Sequence, residues 1–339
     1  MTNKKLNAVI IAIVTIIVLV FALKDDFGEK INYIFSFDLK WLFVAFILIF
    51  TYWFLKGLVI YFCAKKFKKD YSVKEAIKLI LDSQFVNAVT PFSLGCHPYQ
   101  IYRLKKQGLP LEKGTNVVIQ DFIVYQIALI LLGTIAIGAN YIFGIFPDNL
   151  LLKKLIVLGY IVNVIAIIIL FIIAFNKKGN KILLNLAIKL GTKFKIIKDK
   201  QKFLDNQVEN INNFHNGAKL LMKSKWHFIK IIMLNFVALC VLYSIPFTLI
   251  IGLHETINPL LVIVTSAYVM LIGSFIPLPG GSGGIEYGFV SFFGFFIIGA
   301  KLSSIMIVWR LITYYLGMIV GAITINLYKE GKHENRNVY

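Results

Sequence analysis

Residues 275 to 289 read Phe-Ile-Pro-Leu-Pro-Gly-Gly-Ser-Gly-Gly-Ile-Glu-Tyr-Gly-Phe, a stretch broken by proline and glycine that carries one carboxylate, Glu286, between two strongly apolar runs. Hydrocarbon cannot satisfy free backbone N–H and C=O groups. Irregular backbone at membrane depth is therefore tolerated only where protein buries it or water reaches it. The stretch predicts a cavity inside a membrane-embedded bundle, and a cavity is where function is expected.

The composition indicates an integral-membrane protein. The chain has 339 residues, 58% of them hydrophobic, and several of its apolar runs approach the roughly 20 residues needed to cross a bilayer. The apolar residues show no alternation of period two, which argues against an outer-membrane barrel. We expect an all-α, polytopic membrane helix bundle with about six to eight transmembrane helices. Residues 1–339 would form a single transmembrane domain.

The charge balance is strongly basic, with 36 Lys and Arg against 17 Asp and Glu and a formal net charge of +19. In a soluble protein this would suggest nucleic acid. Lysine and arginine gather in the cytoplasmic loops of membrane proteins and are attracted to anionic headgroups, so topology explains the charge better. We therefore expect anionic membrane lipids as partners and no nucleic acid. The predicted location is the cell membrane, with both termini cytoplasmic.

The cysteines do not indicate a disulfide or a metal site. Cys63, Cys96 and Cys240 are widely spaced and form no Cys-x-x-Cys pair, so neither disulfides nor a metal site is expected. No cofactor is predicted either.

The hydrophobic pattern predicts six full spans. The N-terminal run could be mistaken for a signal peptide, but no small-x-small cleavage site follows it, so it is interpreted as the first span. The predicted spans are Leu6–Ala22, Leu39–Ala64, Asn116–Phe146, Leu155–Phe175, Phe228–Leu253 and Leu302–Leu327.

Two further apolar segments are interrupted. Basic residues flank residues 76–102 on both sides, which predicts a re-entrant hairpin that enters and leaves on the cytoplasmic side. Residues 258–300 enter from outside and fit either a second re-entrant hairpin or a pair of short spans. Pro91, Gly95 and Tyr99 share their spacing with Pro279, Gly283 and Tyr287. An inverted repeat would produce this shared spacing, but chance explains three matched residues equally well.

Residues 176–226 form the largest basic segment, with a stripe of apolar residues at three- and four-residue steps among lysines. The pattern predicts a cytoplasmic amphipathic helix. It could lie in the inner headgroup region and gather anionic lipid. A solvated helix packed under the bundle is an equal alternative.

Arginine is rare in this lysine-biased chain and occurs only at positions 103, 310 and 336. Guanidinium offers a planar fork for phosphate or carboxylate. Arg310 lies inside the last apolar span, where an ionisable residue is a functional candidate. The alternative is a structural ion pair with Glu286, which falls in the first turn of a helix, where a carboxylate is favoured.

The glycine run at 280–284 has two interpretations. Its backbone N–H groups, uncovered by side chains and close to a helix start, could bind an anion such as lipid phosphate. A tight packing turn is the other interpretation. The run is not a nucleotide-binding loop, because the Gly-Lys-Ser or Gly-Lys-Thr ending is missing.

The earlier interruption carries a polar cluster. His97 could sense protons or contact a headgroup, although a lone histidine near an interface is more often simply hydrogen-bonded. Arg103 follows on the same segment. Asp82 and Asp121 flank the region and could pair with Arg103 or nearby lysines.

With these residues in view, the chain resembles the integral-membrane family typified by the transmembrane flippase domain of bacterial lysylphosphatidylglycerol synthases, together with its stand-alone relatives. The resemblance rests on Pro-Leu-Pro-Gly-Gly-Ser-Gly-Gly-Ile-Glu at 277–286, similar to the family's Pro-x-Pro-Gly-Gly-x-Gly-x-x-Glu. Trp-Arg-Leu at 309–311 and Tyr-Tyr at 314–315 add to it. It runs through essentially the whole chain.

The chain departs from the family pattern at two places. The family usually has Gly-Gly-Glu-Pro where residues 95–98 read Gly-Cys-His-Pro, so a histidine replaces the expected carboxylate. It commonly has Glu-Arg where Gln120 and Asp121 stand, which suggests a lost or exchanged ion pair. These departures leave the headgroup unidentified.

The resemblance implies a lipid translocase that moves a phospholipid or isoprenoid-linked headgroup across the bilayer. Nothing in the chain resembles the aminoacyl-transferase domain of those synthases, so no enzymatic activity is expected and another protein would make the lipid. A membrane-embedded enzyme on lipid phosphates and an accessory subunit of a lipid glycosyltransferase are the alternatives. A homodimer or a complex with a lipid-synthesising enzyme is possible. The candidate substrate-binding residues are Pro91, Gly95, His97, Pro98, Arg103, Pro279, Gly280, Gly281, Gly283, Glu286 and Arg310.

Overall fold

The computed structural model describes residues 27–175 except 94 and 148, residue 215, residues 218–220 and residues 222–327. All regular structure in these ranges is helical, in agreement with the predicted polytopic helix bundle. The predicted span Leu6–Ala22 and most of the basic segment 176–226 lie outside the described residues. The helices are α1 Phe27–Phe35, α2 Leu39–Ala64, α3 Val73–Val89, α4 Cys96–Lys106, α5 Leu111–Phe143, α6 Leu150–Phe175, α7 Lys225–Tyr243, α8 Ile245–Gly252, α9 Pro259–Gly273, α10 Gly284–Phe293, α11 Gly299–Arg310 and α12 Leu316–Leu327.

Five helical stretches in the described ranges are long and apolar enough to cross a membrane. One is α2, whose bounds match the prediction. The helices at the other predicted spans start three to five residues earlier than expected, because the residues that precede each apolar run, which include at least one lysine, are helical as well. For example, α5 begins at Leu111 rather than Asn116, and it stops at Gly144, whose φ of 58° gives the left-handed C-terminal cap that glycine favours. These stretches are Leu39–Ala64, Leu111–Phe143, Leu150–Ile172, Lys225–Gly252 and Gly299–Asn326.

Two of these stretches are not regular α-helices, contrary to the prediction of single continuous spans. The fourth is interrupted at Ser244, where α7 gives way to α8 and Pro246 occupies the first turn, because proline cannot donate to a preceding carbonyl. The fifth contains a π-helical segment, Leu311–Tyr315, between α11 and α12. Such π turns occur frequently at functional sites.

The first hairpin consists of α3, an irregular segment at residues 90–95 (the first break) and α4. The start of α3 and the end of α4 lie close together and are joined through Gln107, which follows α4. The Gln107 side-chain amide donates to the Glu75 backbone carbonyl at 2.9 Å, and the Gln107 backbone carbonyl accepts from the Lys68 ammonium at 2.8 Å. Residues 73–106 therefore enter and leave the bundle at one end. We call it the lysine-rich end, after the lysines at 65–69.

The second hairpin consists of α9, an irregular segment at residues 274–283 (the second break) and α10. Glu255, just before α9, pairs with Lys301 at the start of α11 at 2.5 Å, so this hairpin also enters and leaves at one end. That end is opposite the lysine-rich end, because the Asp38 N–H at the start of α2 donates to the Gly252 carbonyl at 3.0 Å. The ten residues of α10 span about 15 Å, half of the roughly 30 Å hydrocarbon thickness.

The two breaks contact each other. The first is reached from the lysine-rich end and the second from the opposite end, so the tips of two oppositely directed hairpins meet inside the bundle. Discontinuous helices in this opposed arrangement are typical of inverted-repeat transporters. The long helices α2, α5 and α7 pack against one another beside the hairpins. Protein covers the breaks only in part, since Phe92 and Leu278 are 50% and 52% exposed, so water has to satisfy the remaining backbone groups at membrane depth.

Candidate functional site

The backbone of both breaks enters the left-handed region. In the first break Phe92 and Ser93 have φ of 50° and 57°, and in the second Gly280, Gly281 and Gly283 have φ of 62°, 62° and 85°. Glycine adopts these angles freely, whereas other residues there cost of order 1–3 kcal/mol and cluster at functional sites. The strained turn of the first break therefore makes the meeting point of the hairpins a candidate functional site.

Arg310 is the principal charged group at this meeting point. Its side chain lies at the end of α11, directly before the π turn, and is buried. One terminal nitrogen, Nη2, donates to the Gly280 carbonyl at 3.1 Å and is 3.5 Å from the Ser282 hydroxyl. The guanidinium carbon lies 4.5 Å from the centroid of the Tyr314 ring, which is within cation–π range. Arg310 thus fixes the second break to the last span.

Glu286 is the anionic partner of Arg310. Its Oε1 lies 2.8 Å from Arg310 Nε, yet neither of these atoms makes an aligned hydrogen bond, although both are buried. Its other oxygen, Oε2, accepts from the Gly283 N–H at 2.6 Å and so caps the start of α10. The structural ion pair considered from the sequence is therefore present. The two charged groups are in contact, but they lack the aligned, bidentate hydrogen bonds of the strongest arginine–carboxylate pairs.

The glycine run is largely occupied with its own turn. The N–H of Gly281 donates to the Leu278 carbonyl at 2.9 Å, and that of Ser282 to the Pro279 carbonyl at 3.3 Å. With the Gly283 N–H bound to Glu286, three donors of the run point back into the break. This geometry is the tight packing turn rather than an open anion nest, which leaves Arg310 as the principal candidate for binding an anion.

Gly280 packs directly against an aromatic ring, and replacing it with alanine is expected to destabilise the fold. A Cβ at Gly280 would lie 2.2 Å from Tyr314 Cε2, and overpacking of this kind costs about 1–3 kcal/mol. Gly144→Ala is the matched control, since Gly144 also has φ near 60° but would place its Cβ in open space. Thermal unfolding in detergent should show the larger loss for Gly280→Ala. Equal losses would mean that backbone strain alone is responsible.

Tyr314 joins the two hairpins. Its hydroxyl donates to the Ala88 carbonyl near the end of α3 at 2.9 Å, while its ring lies between Arg310 and Gly280. The turn at Pro91–Ser93 contacts the turn at Pro279–Gly281. The structure therefore brings together Pro91, Pro279, Gly280, Gly281, Gly283, Glu286 and Arg310.

The other candidate residues in and just after the first break do not reach Arg310. Gly95 closes the turn, since a Cβ there would lie 2.5 Å from Thr90 Cγ2. Pro98 falls in the first turn of α4, where the missing N–H is harmless. The His97 ring packs edge-on against Phe122 of α5, with ring centroids 4.8 Å apart. His97 therefore faces α5 rather than Arg310.

Arg103 is a component of the first hairpin and is not placed at its tip. It forms a buried salt bridge with Asp82 of α3, whose side chain is fully buried. Arg103 is eight residues beyond Gly95, or about 12 Å along the helix axis. The pairing of Asp82 with Arg103, one of the pairings considered from the sequence, is therefore present, and it joins the two limbs of the hairpin.

The family model described as the lysylphosphatidylglycerol synthase TM region matches residues 8–321. The chain belongs to the lysylphosphatidylglycerol synthase transmembrane-region family. A second similarity is to a UPF0104 membrane protein of Archaeoglobus fulgidus, 24% identical over 290 residues, which cover 84% of this chain and 85% of that protein. The family match includes both breaks and Arg310, so the hairpins belong to the family's own region, and the protein is a multi-pass membrane protein.

A second buried polar cluster could not be predicted from the motifs of the lysylphosphatidylglycerol synthase family. The Lys56 ammonium lies 2.7 Å from Asp121 Oδ1 and 2.8 Å from Asn235 Oδ1. Of these three residues, the sequence pointed only to Asp121, as a possible partner of Arg103 or a nearby lysine and as part of the departure from Glu-Arg. The structure pairs it with Lys56. Lys56 was detectable in principle, because it is an ionisable residue inside the long apolar run of α2.

Proposed function

We propose that the protein translocates an anionic lipid, a phospholipid or an isoprenoid-linked phosphate, between the leaflets of the cell membrane. The observation that supports this best is the meeting of two oppositely directed broken hairpins around the buried Arg310–Glu286 pair. A membrane transporter needs a polar site near the middle of the bilayer, and broken helices are how such sites are built. The relationship to a family named for the membrane region of a lipid synthase agrees with it.

The proposed headgroup site uses Arg310 for phosphate. Guanidinium binds phosphate through two parallel hydrogen bonds, and the contact with Glu286 lacks hydrogen-bond alignment, so an incoming phosphate can compete for Arg310. Glu286 then remains on the Gly283 N–H and is available to a cationic group on the same headgroup. The lipid tails stay in the bilayer while the headgroup passes between the hairpin tips.

The orientation is part of the same proposal. The lysine-rich end faces the cytoplasm, as the positive-inside rule predicts, and both termini lie on that side. The opposite end, with Glu29, Asp38 and Glu255, then faces outward.

Lipid movement in proteoliposomes tests the function. Purified protein is reconstituted with fluorescent phosphatidylglycerol, and dithionite quenching reports how fast label reaches the outer leaflet. Arg310→Ala and Glu286→Ala are each expected to slow the movement about tenfold or more, because a hydrogen bond to a charged group contributes about 1.5–3 kcal/mol. Lys301→Ala is the control, since Lys301 belongs to an ion pair, about one third exposed, at the other end of α11.

Two results would count against the function. One is vesicles with folded wild-type protein in which label moves no faster than in empty vesicles. The other is unchanged movement in both Arg310→Ala and Glu286→Ala.

A further inference from the structure

A second buried polar cluster lies away from the hairpin tips and has no role in the proposed headgroup site. It consists of Lys56 on α2, Asp121 on α5 and Asn235 on α7. Lys56 lies eight residues from the lysine-rich end of α2, and Asp121 and Asn235 each lie ten residues from the starts of α5 and α7. These spacings correspond to about 12–15 Å along the helix axes. The three side chains therefore share one depth inside the membrane-spanning bundle.

Placing charged side chains at that depth in a membrane costs free energy, so the presence of this ion pair needs an explanation. Lys56 and Asp121 are each 9% exposed, and Asn235 is fully buried. A buried ion pair contributes little net stability compared with apolar residues of similar volume. Ionisable residues inside spans most often mark ion or substrate paths. The pair is thus poorly explained as a stabilising contact.

The geometry makes the carboxylate the group that can change its charge. The Lys56 ammonium has a second acceptor in Asn235 Oδ1, and Asn235 is itself oriented by donating to the Ile231 carbonyl at 3.2 Å. The ammonium also lies 5.1 Å from the centroid of the Tyr125 ring. If Asp121 takes up a proton, Lys56 still keeps an amide oxygen and an aromatic face.

Other polar groups surround the pair. The titratable groups within electrostatic range of Asp121, besides Lys56, are Tyr52 and Cys63 of α2, Cys96 and His97 of α4 and Tyr125 of α5. Gln120, next to Asp121, is fully buried, and both atoms of its amide group lack a hydrogen-bond partner. The His97 Nδ1 and Tyr243 hydroxyl are likewise buried without a partner. Unpaired polar groups in such surroundings point to water or another small polar ligand.

The cluster is connected to both parts of the headgroup site. Phe122, the neighbour of Asp121, packs on His97 in the first turn after the first break. Trp53, one helical turn from Lys56, lies beside Gly317 of α12, shortly after the π turn that follows Arg310. A change in the pair can therefore alter the packing of the helices that hold the hairpin tips.

We propose that Asp121 and Lys56 form a proton-binding site that couples lipid translocation to a transmembrane proton gradient. This inference rests on the proposed function. A proton from one side of the membrane binds an oxygen of the Asp121 carboxylate, which becomes a neutral carboxylic acid and releases Lys56 to Asn235. The same proton leaves to the other side when the carboxylate forms again, so no other reactant is consumed.

The steady-state distribution of a labelled lipid tests the coupling. Wild-type protein is reconstituted in phosphatidylcholine vesicles containing fluorescent phosphatidylglycerol, with the membrane potential clamped by potassium and valinomycin. A gradient of one pH unit is expected to shift the ratio of label between the leaflets by up to about tenfold, if one proton moves per lipid. Asp121→Asn is expected to remove the shift, and Asp121→Glu to retain it. Glu255→Gln changes the partly exposed ion pair with Lys301 at the opposite end of the bundle and should behave as wild type.

The outcomes separate this inference from the proposed function. Label that never crosses the bilayer rejects both. Label that crosses but keeps the same distribution with and without the gradient overturns the coupling and leaves translocation standing. A shift that survives in Asp121→Asn overturns the assignment to this pair. If that shift disappears in His97→Gln instead, the proton site is His97. The wild-type measurement remains decisive even if a variant fails to fold.

Discussion

Arg103→Met is expected to destabilise the protein by about 3–5 kcal/mol, because it leaves the Asp82 carboxylate buried without its charge partner. The Asp82 side chain is fully buried between α3 and α4, and its second oxygen has no hydrogen bond to offset the loss. The free energy of unfolding in mixed detergent micelles, measured by titration with SDS, reports the change. The effect should be among the largest of any single substitution, since the two limbs of the first hairpin would lose their buried cross-link.

Two controls show whether the buried charge is the cause. Lys301→Met breaks an ion pair of which each side chain is about one third exposed, so it should change stability by less than about 1 kcal/mol. The double substitution Asp82→Leu with Arg103→Met removes both charges and should recover most of the lost stability. If the double variant is no more stable than Arg103→Met, lost packing rather than the unpaired carboxylate explains the effect.

The sequence predicts the long helices well and the short ones less well. The bounds of α2 match because residues 39–64 form one long, predominantly apolar run between polar segments. In contrast, α1 is short, and its acidic and basic residues suggest a loop. The break between α7 and α8 was missed because Pro246 lies within a run that remains apolar on both sides. Hydrophobicity alone predicts the membrane segment and not the continuity of its helix.

The candidate site was predictable where polar residues interrupt apolar sequence. Arg310 and Glu286 are conspicuous for that reason, and they do form a pair. The positions of His97 and Arg103 were not predictable in the same way, because both follow the first break in one short helix. Its 3.6-residue period directs His97 to α5 and Arg103 to α3. Which neighbour each one meets depends on the tertiary packing of α4.

Lys56 illustrates a different limit. Among many lysines it has no compositional signal, unlike the rare arginines. Its partners Asp121 and Asn235 are 65 and 179 residues away along the chain. The position of Lys56 inside α2 could have raised it as a candidate, but only the packing of three helices identifies the partners. Long-range polar contacts are therefore the part of the site that a single sequence does not provide.

Gly321→Val is expected to destabilise the protein by about 3 kcal/mol, at the upper end of the range for overpacking. A Cβ at Gly321 would lie 2.4 Å from the Phe85 backbone nitrogen and 2.9 Å from the Leu81 carbonyl oxygen. These are backbone atoms of α3, so no side-chain rotation can relieve the clash. The substitution must push α12 away from the first hairpin.

The same displacement should affect translocation, because α12 continues from the π turn that contains Tyr314, and Tyr314 bonds to Ala88 at the end of α3. Gly138→Val is the matched control: it makes the same change inside a helix, at a position where the added Cβ meets nothing within 4 Å. Thermal unfolding and lipid movement should both fall in Gly321→Val and remain near wild type in Gly138→Val. If Gly321→Val unfolds like wild type, α12 and α3 are not in the close contact that positions Tyr314 between the two breaks.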